Sequence, residues 1–182
     1  MINVLTVSGS LRAASSNTTL LAAAAHLAPG GVSVSPYTAL SALPAFNPDV
    51  EESDGALPSV THWRNAVKAA DAVLLSSPEY AHGIPGALKN ALDWMVGSGE
   101  LVAKPVGVLS ASTYSTFVHP QLVEVLTVMS ATIVPEATIV LDVPRRGFDV
   151  AQISADTALA TVLRNALSAL ARAAERSAIP VQ

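Results

Sequence analysis

The sequence predicts an α/β protein built on one parallel sheet of five strands with helices on both faces. Three observations carry that expectation. Compact β-rich runs and helical segments alternate along the 182 residues. The runs are continuously apolar instead of alternating, the pattern of strands covered on both faces. Stretches rich in Ser, Thr, Asn and Gly follow the first, third and fourth strands, and in a doubly wound sheet such loops converge on one rim.

Residues 2–7 read as a buried strand, and Ser8-Gly9-Ser10 as a tight turn. Residues 18–27, rich in Ala and Leu, read as a helix stopped by Pro29-Gly30-Gly31. Residues 32–37 form a shorter second strand. Residues 38–58 carry prolines at 44, 48 and 58 and read as a long functional loop. A helix is expected over 60–70 and a third strand over 72–75, followed by a turn-rich loop at 76–85. Pro85 suits the first turn of a helix over 86–96. A fourth strand over 106–109 leads into a polar loop at 110–116. A helix over 121–129, a fifth strand over 138–141 and an amphipathic helix over 157–176 complete the order. Five alternations suit the flavodoxin-like strand order, with a ligand beyond the carboxyl ends of the strands.

Composition narrows the function classes. The length fits one domain over residues 1–182, and 51% apolar against 13% charged residues argues for a folded core. A net charge of −4 gives no electrostatic reason to expect nucleic acid or an anionic membrane as partner. The chain has no cysteine, which removes disulfides, thiolate metal sites and thiol catalysis. No metal site is expected. The start of the chain lacks the basic flank of a signal peptide, and no uninterrupted apolar run approaches about 20 residues. The cytoplasm is the expected location.

The first rim loop reads Gly9-Ser10-Leu11-Arg12-Ala13-Ala14-Ser15-Ser16-Asn17-Thr18 and then becomes helix. A helix N-terminus offers unpaired N–H groups and a partial positive charge, which suit a phosphate. The hydroxyls of Ser10, Ser15, Ser16 and Thr18 add donors, and the Arg12 guanidinium matches phosphate oxygens. The plainer alternative is N-capping by Ser16 or Asn17 with a solvated Arg12. Neither a Walker loop nor the three-glycine dinucleotide fingerprint is present.

The second loop reads Ser77-Pro78-Glu79-Tyr80-Ala81-His82-Gly83-Ile84-Pro85. A proline-restrained loop with Tyr and His can present backbone groups to a flat heterocycle beside an aromatic wall. Glu79 could equally be a solvated or helix-capping acid, and His82 a turn residue without chemistry. The third loop, Ser110-Ala111-Ser112-Thr113-Tyr114-Ser115-Thr116, contains no glycine.

Gly9-Ser10-Leu11-Arg12 with Ser15 and Asn17, and Ser77-Pro78-Glu79-Tyr80, with Leu43-Pro44-Ala45-Phe46-Asn47-Pro48-Asp49, Lys104-Pro105-Val106 and the run Ile84-Pro85-Gly86-Ala87-Leu88-Lys89-Asn90-Ala91-Leu92-Asp93-Trp94, resemble the NADPH-dependent FMN reductase family over roughly residues 1–141. That family includes bacterial quinone, azo-dye and chromate reductases. The resemblance implies a flavodoxin-like three-layer sandwich, bound FMN, and NADPH or NADH as co-substrate. The acceptor would be a small molecule: free flavin, quinone, azo compound or metal oxyanion. Ser10, Arg12, Ser15, Ser16, Asn17 and Thr18 would surround the phosphate. Pro78, Glu79, Tyr80, Ala81, His82 and Gly83 would line the isoalloxazine, with Ser112 nearby. A homodimer or homotetramer is implied, with Asn90, Asp93 and Trp94 on a contact helix. The apolar breadth of that helix, through Ala87, Leu88, Ala91, Leu92 and Met95, points the same way. No side chain is assigned as catalytic, because the flavin carries the chemistry. Ala81 stands where the family usually has Asn, and glycines usual in the family's third loop are missing; Tyr114 is therefore expected to narrow access to the flavin face. The alternative reading is a flavodoxin-type electron carrier that does not oxidise NADPH itself.

Overall fold

The computed structural model describes residues 1–52, 57–143 and 148–177. Strand β1 spans Ile2–Ser8, β2 Val32–Tyr37, β3 Ala72–Ser76 and β4 Pro105–Ser110. They lie parallel in the order β2-β1-β3-β4, with two short strands, β5 (Thr132–Ile133) and β6 (Ile139–Val140), both parallel to β4. Every residue of β3 and β4 is buried, as their unbroken apolar sequence requires. Ser8 pairs with Ser76, and Ser76 with Leu109, so β1, β3 and β4 end level and deliver their loops to one rim.

The fifth strand expected at 138–141 is the shorter β6, and β5 was not expected. A 3₁₀ turn, Pro135–Ala137, separates the two and packs on β4 at Gly107. A Cβ at Gly107 would stand 2.6 Å from that of Ala137, so glycine permits the approach.

Two cores sandwich the sheet. On one face lie α1 (Ser16–His26), α6 (Val150–Ala155) and α7 (Thr157–Ser177); Leu20, Leu163, Leu167 and Leu170 pack there against Val4, Leu74 and Leu109. On the other lie α3 (Pro58–Ala69), α4 (Gly86–Asp93) and α5 (Val118–Val128), whose Trp63, Leu88, Leu92 and Leu122 pack on Val7, Leu75 and Val108. Among the described residues, no helix is long and apolar enough to cross a membrane.

Several boundaries move. Helix α1 begins at Ser16, two residues before the expected start, because Ser15 is its cap. Helix α5 begins at Val118, three residues early, and α4 ends at Asp93 instead of 96. The stretch at 38–58 contains a 3₁₀ turn at Leu40–Ala42 and a short helix, α2 (Pro48–Glu52); its residues 53–56 lie outside the described residues. Helix α6, opened by a reciprocal capping box between Asp149 and Gln152, was not expected.

The breadth of α4 has a simpler use than subunit contact. Leu88, Ala91, Leu92, Trp94 and Met95 are all at most 1% exposed within this chain. Asn90 and Trp94, expected at a contact surface, tie down the preceding loop. The Asn90 amide accepts from the Phe46 N–H (2.7 Å) and donates to the Pro44 carbonyl (2.8 Å), to which the Trp94 indole also donates (2.9 Å). Phe46 adds an edge-on contact with the Trp94 ring. Asp93 pairs with Lys89 one helical turn away.

Candidate functional site

The first loop leaves β1 at Gly9, whose N–H donates to the Ser76 carbonyl. A Cβ there would stand 2.6 Å from the Ser77 hydroxyl and 2.9 Å from Leu88, so glycine lets the first two rim loops touch. Ser10 then accepts from the Arg12 N–H (3.3 Å), folding the loop back on itself. Ser15 caps α1 with extended backbone and a weak acceptor contact to the Thr18 N–H (3.5 Å). Asn17 is buried, and its side-chain oxygen accepts from the Ser76 hydroxyl (2.8 Å), leaving its NH₂ as the remaining donor. The Arg12 guanidinium makes no hydrogen bond or ion pair among the described residues.

These groups line a cleft of about 270 Å³. Nine of the thirteen expected site residues border it: Ser10, Arg12, Ser15, Ser16, Asn17, Pro78, Glu79, Tyr80 and Ser112. Four do not. The Thr18 hydroxyl lies 2.8 Å from that of Ser8, and Thr18 borders an adjoining groove of about 580 Å³ between α1 and the end of β2, which shares Ser10 and Arg12 with the cleft. Ala81, His82 and Gly83 form a tight turn whose tip leans away from the cleft, toward α5. The turn is closed by mutual backbone bonds between Tyr80 and Gly83, and the His82 ring stacks on Phe117. Ala14, Ala111 and Ser115 border the cleft without having been expected; the polar character of the third loop was the available signal for Ser115.

Glu79 acts as a helix-capping acid, the plainer role named for it, while it also borders the cleft. One carboxylate oxygen accepts from the N–H groups of Phe117 (2.7 Å) and Val118 (3.0 Å) at the start of α5. The third loop needs no left-handed residue: none of 111–116 has positive φ, so the missing glycines leave it unstrained. Tyr114 is 74% exposed and is not among the residues bordering the cleft. Below this loop the Ser110 hydroxyl, buried at the end of β4, lies 3.0 Å from the His119 Nδ1. Burial holds the His119 imidazole below its ordinary pKa.

The donor set fits a phosphorylated ligand. One wall combines a helix N-terminus, three serine hydroxyls, an amide NH₂ and an unpaired guanidinium. Among the described residues, the one acid bordering the cleft, Glu79, is engaged by backbone N–H groups. Pro78, Glu79 and Tyr80 of the second loop and Ala111 and Ser112 of the third complete the border of the cleft.

Comparison with known proteins agrees with this geometry. Over 113 residues the chain is 41% identical to an NAD(P)H-dependent FMN reductase of Pseudomonas aeruginosa and 31% identical to a quinone reductase of Escherichia coli K12. Each match covers 61% of this chain and 60% of the relative, so the chain aligns with well under two thirds of the length of either. Its structure is similar to FerB, a flavoenzyme NAD(P)H:(acceptor) oxidoreductase of Paracoccus denitrificans, with a TM-score of 0.74, 25% identity and coverage of 97% of this chain and 98% of that one. An archaeal flavodoxin shares the fold at a TM-score of 0.64 and 13% identity, covering 94% of this chain and 99% of that one. The family model for NADPH-dependent FMN reductases matches residues 2–143, and the chain belongs to that family.

Proposed function

We propose that this protein is an NAD(P)H-dependent oxidoreductase that holds FMN in the cleft at the rim of the sheet. The observation that carries the reading is the unpaired Arg12 guanidinium beside the N-terminus of α1, in a cleft whose other wall is the Pro78–Tyr80 loop. Ser10, Arg12, Ser15, Ser16 and Asn17 bind the phosphate. Pro78, Glu79 and Tyr80 border the ring, with Ser112 beside it. FMN held there would supply the redox chemistry, the transfer of a hydride from NAD(P)H and of electrons to a small acceptor such as a quinone. The residues orient the cofactor, and no side chain has to move a proton.

The test is an absorption spectrum of the purified protein followed by anaerobic titration with NADPH and NADH. Bleaching of the flavin is expected. A flavin that stays oxidised would instead support an electron carrier of the flavodoxin type.

Arg12→Ala isolates the phosphate grip. Hydrogen bonds to a charged group contribute about 1.5–3 kcal/mol, so FMN should bind about 10- to 150-fold more weakly. Riboflavin, lacking the phosphate, should bind both proteins alike in calorimetry; equal weakening of the two ligands would remove Arg12 from the phosphate site.

A homodimer is part of the same proposal. Its support is an open groove of about 670 Å³ between α4 and α5, where Ile84, Phe117, Pro120 and Val125 present apolar surface. Light scattering at micromolar concentration should give twice the chain mass. We place the protein in the cytoplasm, where the reduced nicotinamide pool lies.

A further inference from the structure

Helix α5 begins without a cap of its own. Its N-cap residue, Phe117, has no side-chain acceptor, and its first turn holds no acid. Glu79, 38 residues earlier in the chain, supplies the missing acceptor to the N–H groups of Phe117 and Val118.

Glu79 opens a turn that its sequence does not favour. Tyr80 and Gly83 exchange both backbone hydrogen bonds, at 3.0 and 3.1 Å, around Ala81 (φ 49°) and His82 (φ 59°). A two-residue hairpin with both central φ positive wants Asn-Gly, and Ala-His bears the steric penalty of the left-handed region twice. A conformation of this kind persists only where its surroundings over-determine it. The surroundings here are the first turns of α5. Besides the Glu79 contacts, the Gln121 amide donates to the His82 carbonyl (2.9 Å), and the His82 and Phe117 rings stack with centroids 4.2 Å apart and planes 16° from parallel. The residues that lead into this turn, Pro78 to Tyr80, border the cleft.

We propose that Glu79 is a positioning residue that clamps the strained 80–83 turn to the start of α5 and thereby shapes the wall against which the flavin ring lies. The inference rests on the FMN reading and adds a division of labour to it. Arg12 governs affinity for the phosphate; Glu79 governs affinity for the ring.

The test compares the whole protein with Glu79→Ala, Glu79→Gln and Glu79→Ala combined with Ala81→Asn and His82→Gly. FMN and riboflavin are titrated into each, and amide exchange is followed at residues 80–83 without ligand. Glu79→Ala should weaken both flavins alike, by about 10-fold, and speed exchange of those amides to a similar degree. Glu79→Gln keeps a neutral acceptor and should lie between. The Asn-Gly turn no longer needs the clamp, so the triple variant should recover to within about threefold of wild type. Loss confined to FMN, no loss with either flavin, or a triple variant as weak as Glu79→Ala would each overturn the proposal. If wild-type protein binds no flavin, the functional reading fails. The clamp is then judged by exchange alone: unchanged exchange in Glu79→Ala overturns it, and faster exchange that the Asn-Gly turn reverses upholds it.

Discussion

Tyr37 closes β2 with its ring packed on His62 and Trp63, and its hydroxyl is buried without a hydrogen-bond partner among the described residues. Burial also raises its pKa. An unpaired buried hydroxyl is a cost, so Tyr37→Phe should leave stability unchanged or raise it by up to about 1 kcal/mol in urea unfolding. A clear loss would mean that the hydroxyl has a partner. Lys104 presents the opposite case. Its ammonium donates to the carbonyls of Val67, Lys68 and Ala70 at the end of α3, where the Val67 carbonyl also accepts from the Ala70 N–H. Burial lowers its pKa, and Asp71 and Glu100 oppose that shift. Lys104→Met keeps the apolar stem and removes the donor. It should cost about 1.5–3 kcal/mol in the same measurement, since charged hydrogen bonds are lost and carbonyls left bare. The Lys-Pro pair before β4 was readable as a family feature. Its work as a C-cap for another helix was not, because the partners lie more than 30 residues away.

Helix α4 shows how one element can serve two ends. Its apolar stripe fills the core, and its polar flank, through Asn90, holds the loop at Pro44–Phe46 with three hydrogen bonds shared with Trp94. Asn90→Leu matches the side chain in size but satisfies neither backbone group. It should destabilise the chain by about 1–3 kcal/mol and speed amide exchange at Phe46, leaving the mass by light scattering unchanged. A shift in mass instead would return Asn90 to a subunit interface. The spacing of Leu88, Ala91, Leu92 and Met95 made the helix and its buried face legible. The sequence does not record whether apolar breadth is covered by the chain's own loop or by a second copy.

At the scale of the whole molecule, two cores back one sheet, and the rim between them carries a half-buried histidine with a pH signature. His119 packs against Ser110 between β4 and α5, and burial favours its neutral form. The unfolded chain therefore takes up a proton at the ordinary histidine value of 6.5 while the folded chain resists it. The contribution is fully present above that value and is lost as pH falls below it toward the depressed pKa of the folded state. Unfolding free energies of the wild type and His119→Gln, measured between pH 8 and about pH 5, should diverge as the pH falls, the variant losing less. Parallel curves would show that His119 titrates freely.

Local sequence determined most of the architecture. Unbroken apolar runs made β1, β3 and β4 buried parallel strands, alanine- and leucine-rich segments made α1 and α7 helices, and the polar clusters marked the rim where nine of the thirteen named residues border one cleft. Those features depend on neighbours within a few residues, whose periodicity a sequence displays. Tertiary structure decided the rest. It added β5 before the turn on Gly107, set Asn17 against Ser76, made Glu79 the cap of α5 and folded Ala81 and His82 into a left-handed turn against α5. Each of these joins groups distant in the chain, where the energy of a contact depends on geometry that only the packed sheet and helices supply.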